Sequence, residues 1–142
     1  MKELIAKYKE QGFRLTPQRL AILEYMDGNT SHPSAEDIYK HIKAAYPTVS
    51  FATVYNTLQA LKDKGEILEI TIDPQKKHYD PNPKPHHHII CMGCNKIGDI
   101  FEDYSEALRL PHHIVSEFKP VANHINFYGI CKYCQKKQKR RN

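Results

Sequence analysis

The chain has 142 residues, 40% of them hydrophobic and 26% charged, and its formal net charge at pH 7 is +5. Its mean hydropathy is −0.65, and no apolar run approaches the ~20 residues that a membrane-spanning helix needs, so we expect a soluble, cytoplasmic protein. The positive charge favours a nucleic-acid partner, but residues 1–80 are neutral overall, and six of the ten basic residues beyond them fall within 132–141. We expect this basic end to be a solvated tail, with contact to DNA or RNA as the alternative.

Helical signals fill the first half of the chain. Apolar residues at helical spacing predict a helix over 2–11. Thr16, followed by proline, and Ser34, which opens a capping-box pattern, begin two more helices. Ser50 begins a fourth helix, over 50–64, that stops just before a glycine. This half is therefore predicted to be helical as far as residue 64.

A β-hairpin is predicted to follow these helices. Its strands cover 66–72 and 77–79, and the turn lies at 73–75. A series of helices followed by a hairpin is the element order of a winged helix-turn-helix. This order predicts a DNA-binding domain over 1–80. Three prolines mark 81–85 as a hinge or linker.

The remaining residues, 86–142, are predicted to form a small α+β domain that dimerises and ends in the basic tail. Strand-like runs are predicted over His87–Cys91, 96–101 and 121–130. A helix is predicted over 104–118, with an interruption at Pro111. A unit this short needs more than its own core for stability.

All four cysteines of the chain lie in two CxxC pairs, at 91/94 and 131/134. Two thiolates spaced in this way can share one metal ion, and two such pairs complete the tetrahedral sulfur shell that zinc prefers. The alternative is disulfides or redox thiols, which the lack of a signal-peptide-like start disfavours. We therefore expect a structural zinc ion held by Cys91, Cys94, Cys131 and Cys134.

Histidine is also frequent, with nine residues, three of which are consecutive at 86–88. In a strand, His86 and His88 point to one face and His87 to the other, so the outer pair can bind one metal. Asp80, Asp99 and His32 are further candidate ligands. Surface decoration is the alternative for any one of them alone.

Five motifs together give the chain a resemblance to the ferric uptake regulator family along nearly its whole length. They are LTPQR at 15–19, HPSAEDIY at 32–39, SFATVYNTL at 50–58, HHHIIC at 86–91 and FYGIC at 127–131. The resemblance implies a homodimeric, metal-responsive transcriptional repressor that binds a palindromic double-stranded operator. It also implies a regulatory site that binds Fe(II) or Mn(II) through His32, Asp80, His86, His88 and Asp99.

Within this family the chain is most similar to the peroxide-stress branch. Aspartate at positions 80 and 99 and Asn56 are typical of that branch, whereas iron-uptake regulators tend to have glutamate and arginine there. Fe(II) and peroxide would then oxidise a ligand histidine, with His32 and His86 as the matching candidates. The alternative is an iron- or metal-uptake regulator that responds to metal only. Iron-type members also have an additional site, whose matching ligands here are His87, Glu106 and His124, although Pro85 replaces one histidine.

The helix over 50–64 is the candidate for base recognition in DNA, and nearby basic side chains are candidates for phosphate contact. The candidates are Arg14, Arg19, Ser50, Thr53, Tyr55, Asn56, Gln59, Lys62, Lys76 and Lys77. Core packing is the alternative for Tyr55, and solvated charge for the basic residues. An enzyme of the zinc deaminase class is not expected, because no HxE motif is present and four thiolates leave no position for activated water. A zinc-stapled interaction module remains the third possibility.

Overall fold

The computed structural model describes residues 2–73 and 76–141. The chain divides into two units, 1–83 and 84–142, and the division falls inside the expected linker at 81–85. No helix in the described part of the chain is long and apolar enough to cross a lipid bilayer.

Four helices make up most of the first unit, and their beginnings follow the sequence signals. The Thr16 hydroxyl accepts a hydrogen bond from the Arg19 amide at 3.2 Å, and the Ser50 hydroxyl accepts one from the Thr53 amide at 3.0 Å. Ser34 forms the full capping box, in which both reciprocal bonds are 3.1 Å. The helices are α1 (Lys2–Glu10), α2 (Pro17–Met26), α3 (Ala35–Ala45) and α4 (Phe51–Asp63).

The apolar faces of α2, α3 and α4 form the core of this unit. Ile22, Ile38, Val54 and Leu58 have no exposed surface, and burying each such side chain contributes about 1.5–3 kcal/mol. The side of α4 that carries Thr53 and Asn56 is exposed. Packing therefore fixes α4 by one face and leaves the other to solvent.

The hairpin consists of β1 (Leu68–Asp73) and β2 (Lys76–Asp80), which pair antiparallel. The predicted strands, 66–72 and 77–79, begin or end one or two residues away from these bounds. The predicted turn at 73–75 includes Pro74 and Gln75, which lie outside the described residues. An isolated bridge between Ser34 and His78 connects the hairpin to the start of α3.

The second unit contains a three-stranded sheet in the order β4-β3-β5. Its strands are β3 (His87–Cys91), β4 (Ile97–Ile100) and β5 (Asn126–Gly129). The central strand β3 pairs antiparallel with β4 and parallel with β5. The register places Asp99 opposite His88 and Gly129 opposite Cys91, so both candidate metal sites begin on β3.

Three expectations for this unit need correction. The helix expected over 104–118 is reduced to α5 (His112–Val115), because Pro111 cannot continue a helix and instead begins one. The strand expected over 121–130 is reduced to β5. The basic end is a helix, α6 (Lys132–Arg141), although the side chains of residues 132–140 are exposed as expected of a tail, with Cys134 the exception.

Candidate metal centres and nucleic-acid interface

The four cysteine sulfurs of the second unit come together in one cluster. One ligand atom from each lies within 4.8 Å of the others, and none of the four is in a disulfide. The Sγ atoms of Cys94 and Cys131 are 3.8 Å apart. Zn–S bonds of about 2.3 Å place the corners of a tetrahedron about 3.8 Å apart. The cluster therefore fits a zinc ion.

Local backbone geometry builds the cluster from two turns. After Cys91 the chain reverses through a turn in which the Asn95 amide donates to the Cys91 carbonyl at 2.8 Å. Asn95 has a φ of 63°, a left-handed conformation that asparagine tolerates better than most residues. On the other side, Cys131 directly precedes α6, and Cys134 lies in the first turn of that helix. The parallel pairing of β3 with β5 brings these two turns together.

Backbone amides and burial act in opposite directions on the thiols. Two backbone amides donate hydrogen bonds to the Cys91 sulfur, that of Cys131 at 3.2 Å and that of Gly93 at 3.4 Å. These and further amide contacts, with that of Cys131 the strongest, lower the pKa of Cys91 to about 6. Desolvation, reinforced by the neighbouring sulfurs, raises the pKa of Cys134 to about 12. A second thiolate beside the first therefore requires a cation, a role that a bound metal ion would fill.

Gly93 is a residue of this site that the sequence analysis did not single out. A Cβ atom at this position would lie 2.8 Å from the Cys134 sulfur and 3.1 Å from the Cys134 Cβ. Real Cβ atoms do not approach that closely, so only glycine fits between the two cysteine turns. The glycine is visible in the sequence as the third residue of the first CxxC pair, but the reason for it becomes clear only when the position of Cys134 is known.

Two histidines of the second unit converge on a single carboxylate oxygen. The Nε2 atoms of His86 and His88 lie 3.0 Å and 3.2 Å from Oδ1 of Asp99. Both rings are buried. His86 and His88 are the HxH pair expected from the sequence, and the β3–β4 register supplies the aspartate opposite them.

The tautomer of His86 makes this convergence informative. The Lys84 carbonyl lies 2.7 Å from Nδ1 of His86, and a carbonyl can only accept, so Nδ1 carries the proton. In the neutral ring, Nε2 then presents a lone pair to the Asp99 carboxylate, which also has only lone pairs to offer. A cation between these atoms turns the contact into a favourable one. This donor set of imidazole nitrogen and carboxylate oxygen suits a divalent transition metal.

The first unit holds a second histidine–aspartate pair. Nε2 of His32 lies 3.3 Å from Oδ2 of Asp80, and both side chains are buried. His32 has a φ of 52°, and its carbonyl accepts a hydrogen bond of 2.8 Å from Nδ1 of His78. The Asn82 amide donates to Oδ1 of Asp80 at 2.9 Å. Each unit therefore contains part of the expected regulatory ligand set.

The residues of the additional site do not form a comparable cluster. Among the described residues, His87, Glu106 and His124 are not a group whose ligand atoms lie within 4.8 Å of one another. Nδ1 of His87 accepts from the Ile125 amide at 3.0 Å, so the neutral ring carries its proton on Nε2. Nδ1 of His124 donates to the His86 carbonyl at 2.9 Å. Glu106 is exposed. Both histidines are thus engaged with the backbone.

Several candidate DNA-contact residues surround one open depression of about 360 Å³ on the first unit. The starts of α2 and α4 both border it, so amides from two helix N-termini lie beside basic side chains. Its lining includes Arg14, Thr16, Arg19, Ser50 and Thr53. This is a suitable surface for phosphate groups.

The other DNA-contact candidates differ in whether their side chains already form contacts within the protein. Lys77 forms an ion pair with Glu69 at 3.0 Å and donates to the Tyr55 hydroxyl at 3.3 Å. Tyr55 is half-buried against the core, which partly supports the packing alternative. Gln59 donates to Asp63 at 3.1 Å, and Lys62 pairs with Glu69. Asn56 and Lys76 are exposed.

Comparison with known proteins identifies the family. The model of the ferric uptake regulator family matches residues 10–128. This chain belongs to that family. The peroxide-responsive repressor PerR of Staphylococcus aureus is 38% identical over 138 residues, which cover 96% of this chain and 93% of that protein.

Solved structures of family members agree with this assignment. The ferric uptake regulator from Francisella tularensis with iron is 32% identical, has a TM-score of 0.74, and covers 87% of this chain and 96% of its own. PerR from Streptococcus pyogenes is 33% identical, has a TM-score of 0.52, and covers 94% of this chain and 91% of its own. The fold expected from the sequence, a winged helix with a small α+β domain, is that of the ferric uptake regulator family.

Proposed function

We propose that this protein is a metal-dependent transcriptional repressor that releases its operator when peroxide oxidises a ligand histidine. The observation that carries the proposal is the pair of imidazole nitrogens facing one oxygen of Asp99, an arrangement that suits a bound divalent cation. Similarity to PerR of S. aureus supports the peroxide response over a response to metal alone.

The proposed regulatory site contains His32, Asp80, His86, His88 and Asp99. Two of these ligands belong to the first unit and three to the second. A single Fe(II) or Mn(II) ion that binds all five fixes the angle between the units, and a metal that prefers this closed state stabilises it. The zinc ion on the four cysteines has a closed sulfur shell, so it serves folding rather than sensing.

Operator binding is proposed to use two copies of the chain. The second unit exposes large apolar side chains that a partner copy can cover, including Phe101, Phe118 and Val121 at 68%, 63% and 91%. A dimer presents two α4 helices, and the distance between them must match half-sites about one helical turn apart, or a multiple of that distance. The protein would act on double-stranded DNA in the cytoplasm, where zinc-bound thiols remain reduced.

The proposed DNA interface divides into two kinds of contact. Thr53 and Asn56 lie on the exposed side of α4, where their groups can reach base edges. Arg14 and Arg19, beside the N-termini of α2 and α4, face the depression suited to phosphate. Ser50 contributes by capping α4.

The proposed sensing step is a two-electron oxidation. One oxygen atom of hydrogen peroxide enters an imidazole ring in place of hydrogen, and the other leaves as water. A bound Fe(II) ion would supply the one-electron chemistry that activates peroxide, which Mn(II) does not readily do. His32 and His86 are the expected targets, and oxidation of either removes a ligand and weakens the closed state.

The test compares the two metal forms. Protein loaded with Fe(II) or Mn(II) is treated with stoichiometric peroxide, and operator affinity and peptide masses are measured. We expect the Fe(II) form to gain one oxygen on His32 or His86 and to release DNA, and the Mn(II) form to do neither. The exposed His112 and His113 of α5 are internal controls, because nonspecific oxidation would reach them first.

A regulator that responds only to metal is the second candidate, favoured by the similarity to the F. tularensis iron regulator. An equal peroxide response of the two metal forms, or a mass gain confined to cysteine, would support it over peroxide sensing. If neither metal increases operator affinity over that of metal-free protein, both candidates fail.

A further inference from the structure

The last helix, α6, concentrates positive charge and contains no acidic residue of its own. Residues 132–141 contain six lysines and arginines and no aspartate or glutamate. Among the described residues, no ion pair involves this helix. Within the described residues, the charge of α6 is therefore not offset by ion pairs with carboxylates.

Much of this charge lies on one side of the helix. Successive residues of an α-helix are rotated by about 100°, so four basic residues fall within a sector of about 100°, and Cys134 lies on the opposite side. Cys134 is 7% exposed, whereas the four are exposed. The cysteine side packs into the sulfur cluster and turns the basic side towards solvent. We call these four residues the basic stripe: Lys132, Lys136, Lys139 and Arg140.

The basic stripe does not stabilise the helix that carries it. Lys136 is four residues from both Lys132 and Arg140, and like charges at this spacing repel each other. Lys132 also begins the helix, where the positive end of the helix dipole disfavours a cation. Only Lys139 and Arg140, near the other end, are favoured by the dipole. A helix of ten residues is marginal in isolation, so its attachment through Cys131 and Cys134 holds the stripe in place.

We propose that the basic stripe of α6 binds the phosphate backbone of duplex DNA independently of sequence. The proposal rests on the DNA-binding function proposed above. From Lys132 to Arg140 the helix rises about 12 Å, and duplex DNA presents about one negative charge per 1.7 Å of its axis. The stripe can therefore face several phosphates at once.

An anionic membrane surface is the competing partner, and the composition of α6 disfavours it. A helix that lies in a membrane interface needs a broad apolar face opposite its basic one. In α6 that side carries Cys134, which packs into the sulfur cluster, and its other residues are polar apart from Tyr133. Phosphate attraction without insertion matches this helix better.

The test uses full-length, zinc-loaded protein and a random-sequence duplex that lacks the operator. Lys136→Gln/Lys139→Gln removes two charges of the stripe. Lys96→Gln/Lys119→Gln removes two exposed charges elsewhere in the same unit and is the matched control. Affinity is measured by fluorescence anisotropy between 50 and 200 mM salt, together with zinc content and the thermal unfolding midpoint.

We expect the stripe variant to bind random DNA at least tenfold more weakly than wild type at 50 mM salt. Its salt dependence should be less steep by about 0.9 in the log–log slope for each phosphate that the variant no longer neutralises. Zinc content should be unchanged, and the unfolding midpoint equal or higher, since a repulsion has been removed. The control variant should change affinity by less than about twofold.

Two results would overturn the proposal. One is a stripe variant whose affinity and salt slope equal those of the control. The other is a stripe variant that binds DNA as wild type does but no longer binds phosphatidylglycerol vesicles that wild type binds, which would assign the stripe to membranes. Failure of the proposed repressor function gives a different result from failure of the stripe proposal. In that case wild-type protein with the regulatory metal present does not prefer operator over random DNA.

Discussion

The clearest test of the cysteine centre is a change that touches none of its ligands, Gly93→Ala. The added Cβ would lie 2.8 Å from the Cys134 sulfur, whereas non-bonded heavy atoms settle at about 3.5–4.0 Å. The sulfur or the turn must therefore shift by about 1 Å, but metal-site distances tolerate only about 0.2 Å. Overpacking of this kind costs about 1–3 kcal/mol. If the cost falls on metal binding, zinc retention weakens roughly five- to 150-fold, since about 1.4 kcal/mol is a factor of ten.

Zinc retention is measured by competition with a chromophoric chelator, and stability by urea unfolding of the zinc-loaded protein. Gly129→Ala is the matched control, because its Cβ would meet only Ile89 at an ordinary 3.6 Å. Alanine at this strand position should be neutral or slightly stabilising. If Gly93→Ala retains zinc as well as Gly129→Ala does, the steric account of the cysteine turns is wrong.

Three further changes test the rest of the structure. Cys94→Ser should give a zinc-poor protein with a destabilised second unit, measured by metal content and sedimentation; a stable zinc-free dimer that binds DNA normally would contradict this. Asp99→Asn should weaken metal-dependent operator binding at least tenfold with zinc content unchanged, whereas the exposed Asp103→Asn should not; equal effects would mean that Asp99 is not a ligand. Ser34→Ala should cost about 0.5–2 kcal/mol in urea unfolding near neutral pH. Burial raises the pKa of Asp37, but hydrogen bonds from Ser34 outweigh this effect and lower the pKa below its usual 3.8. The ionised Asp37 carboxylate therefore stabilises the fold above pH 3.8, and this stabilisation is lost as the pH falls through the lowered pKa of the folded state. The Ser34 amide that donates to the Asp37 carboxylate remains in Ser34→Ala, so the pH test uses Asp37→Ala, whose stability difference from wild type should shrink below about pH 3.8. A pH-independent difference for Asp37→Ala would assign its cost to something other than the capping box.

Local chemistry made the first unit predictable. Thr16, Ser34 and Ser50 each carry a hydroxyl that can cap a helix only at its first turn, and the helices begin there. The buried positions of α3 and α4 repeat at helical spacing. These signals act over three or four residues, so the sequence alone reveals them.

The second unit was less predictable because tertiary contacts decide its elements. Residues 104–110 have helical spacing but form only turns before Pro111. Conversely, α6 has no apolar stripe, and like charges oppose it, yet Cys131 and Cys134 fix its first turn at the sulfur cluster. The need for glycine at position 93 likewise depends on Cys134, which is 41 residues away in sequence. No local pattern contains that information.

The cysteine cluster and the histidine–aspartate group of the second unit are linked through one strand, so the two proposed metal sites should depend on each other unequally. His88 and Cys91 are both on β3, about 10 Å apart along the strand, and β3 is the central strand between β4 and β5. The cysteine centre ties the end of β3 to the residues after β5, and β4 carries Asp99 back to His88. Loss of zinc from the cysteine cluster should therefore loosen the strand that aligns His88 with Asp99. Loss of the proposed regulatory metal should leave the four cysteines and their turns intact, so we expect the zinc site to support the proposed sensing without depending on it.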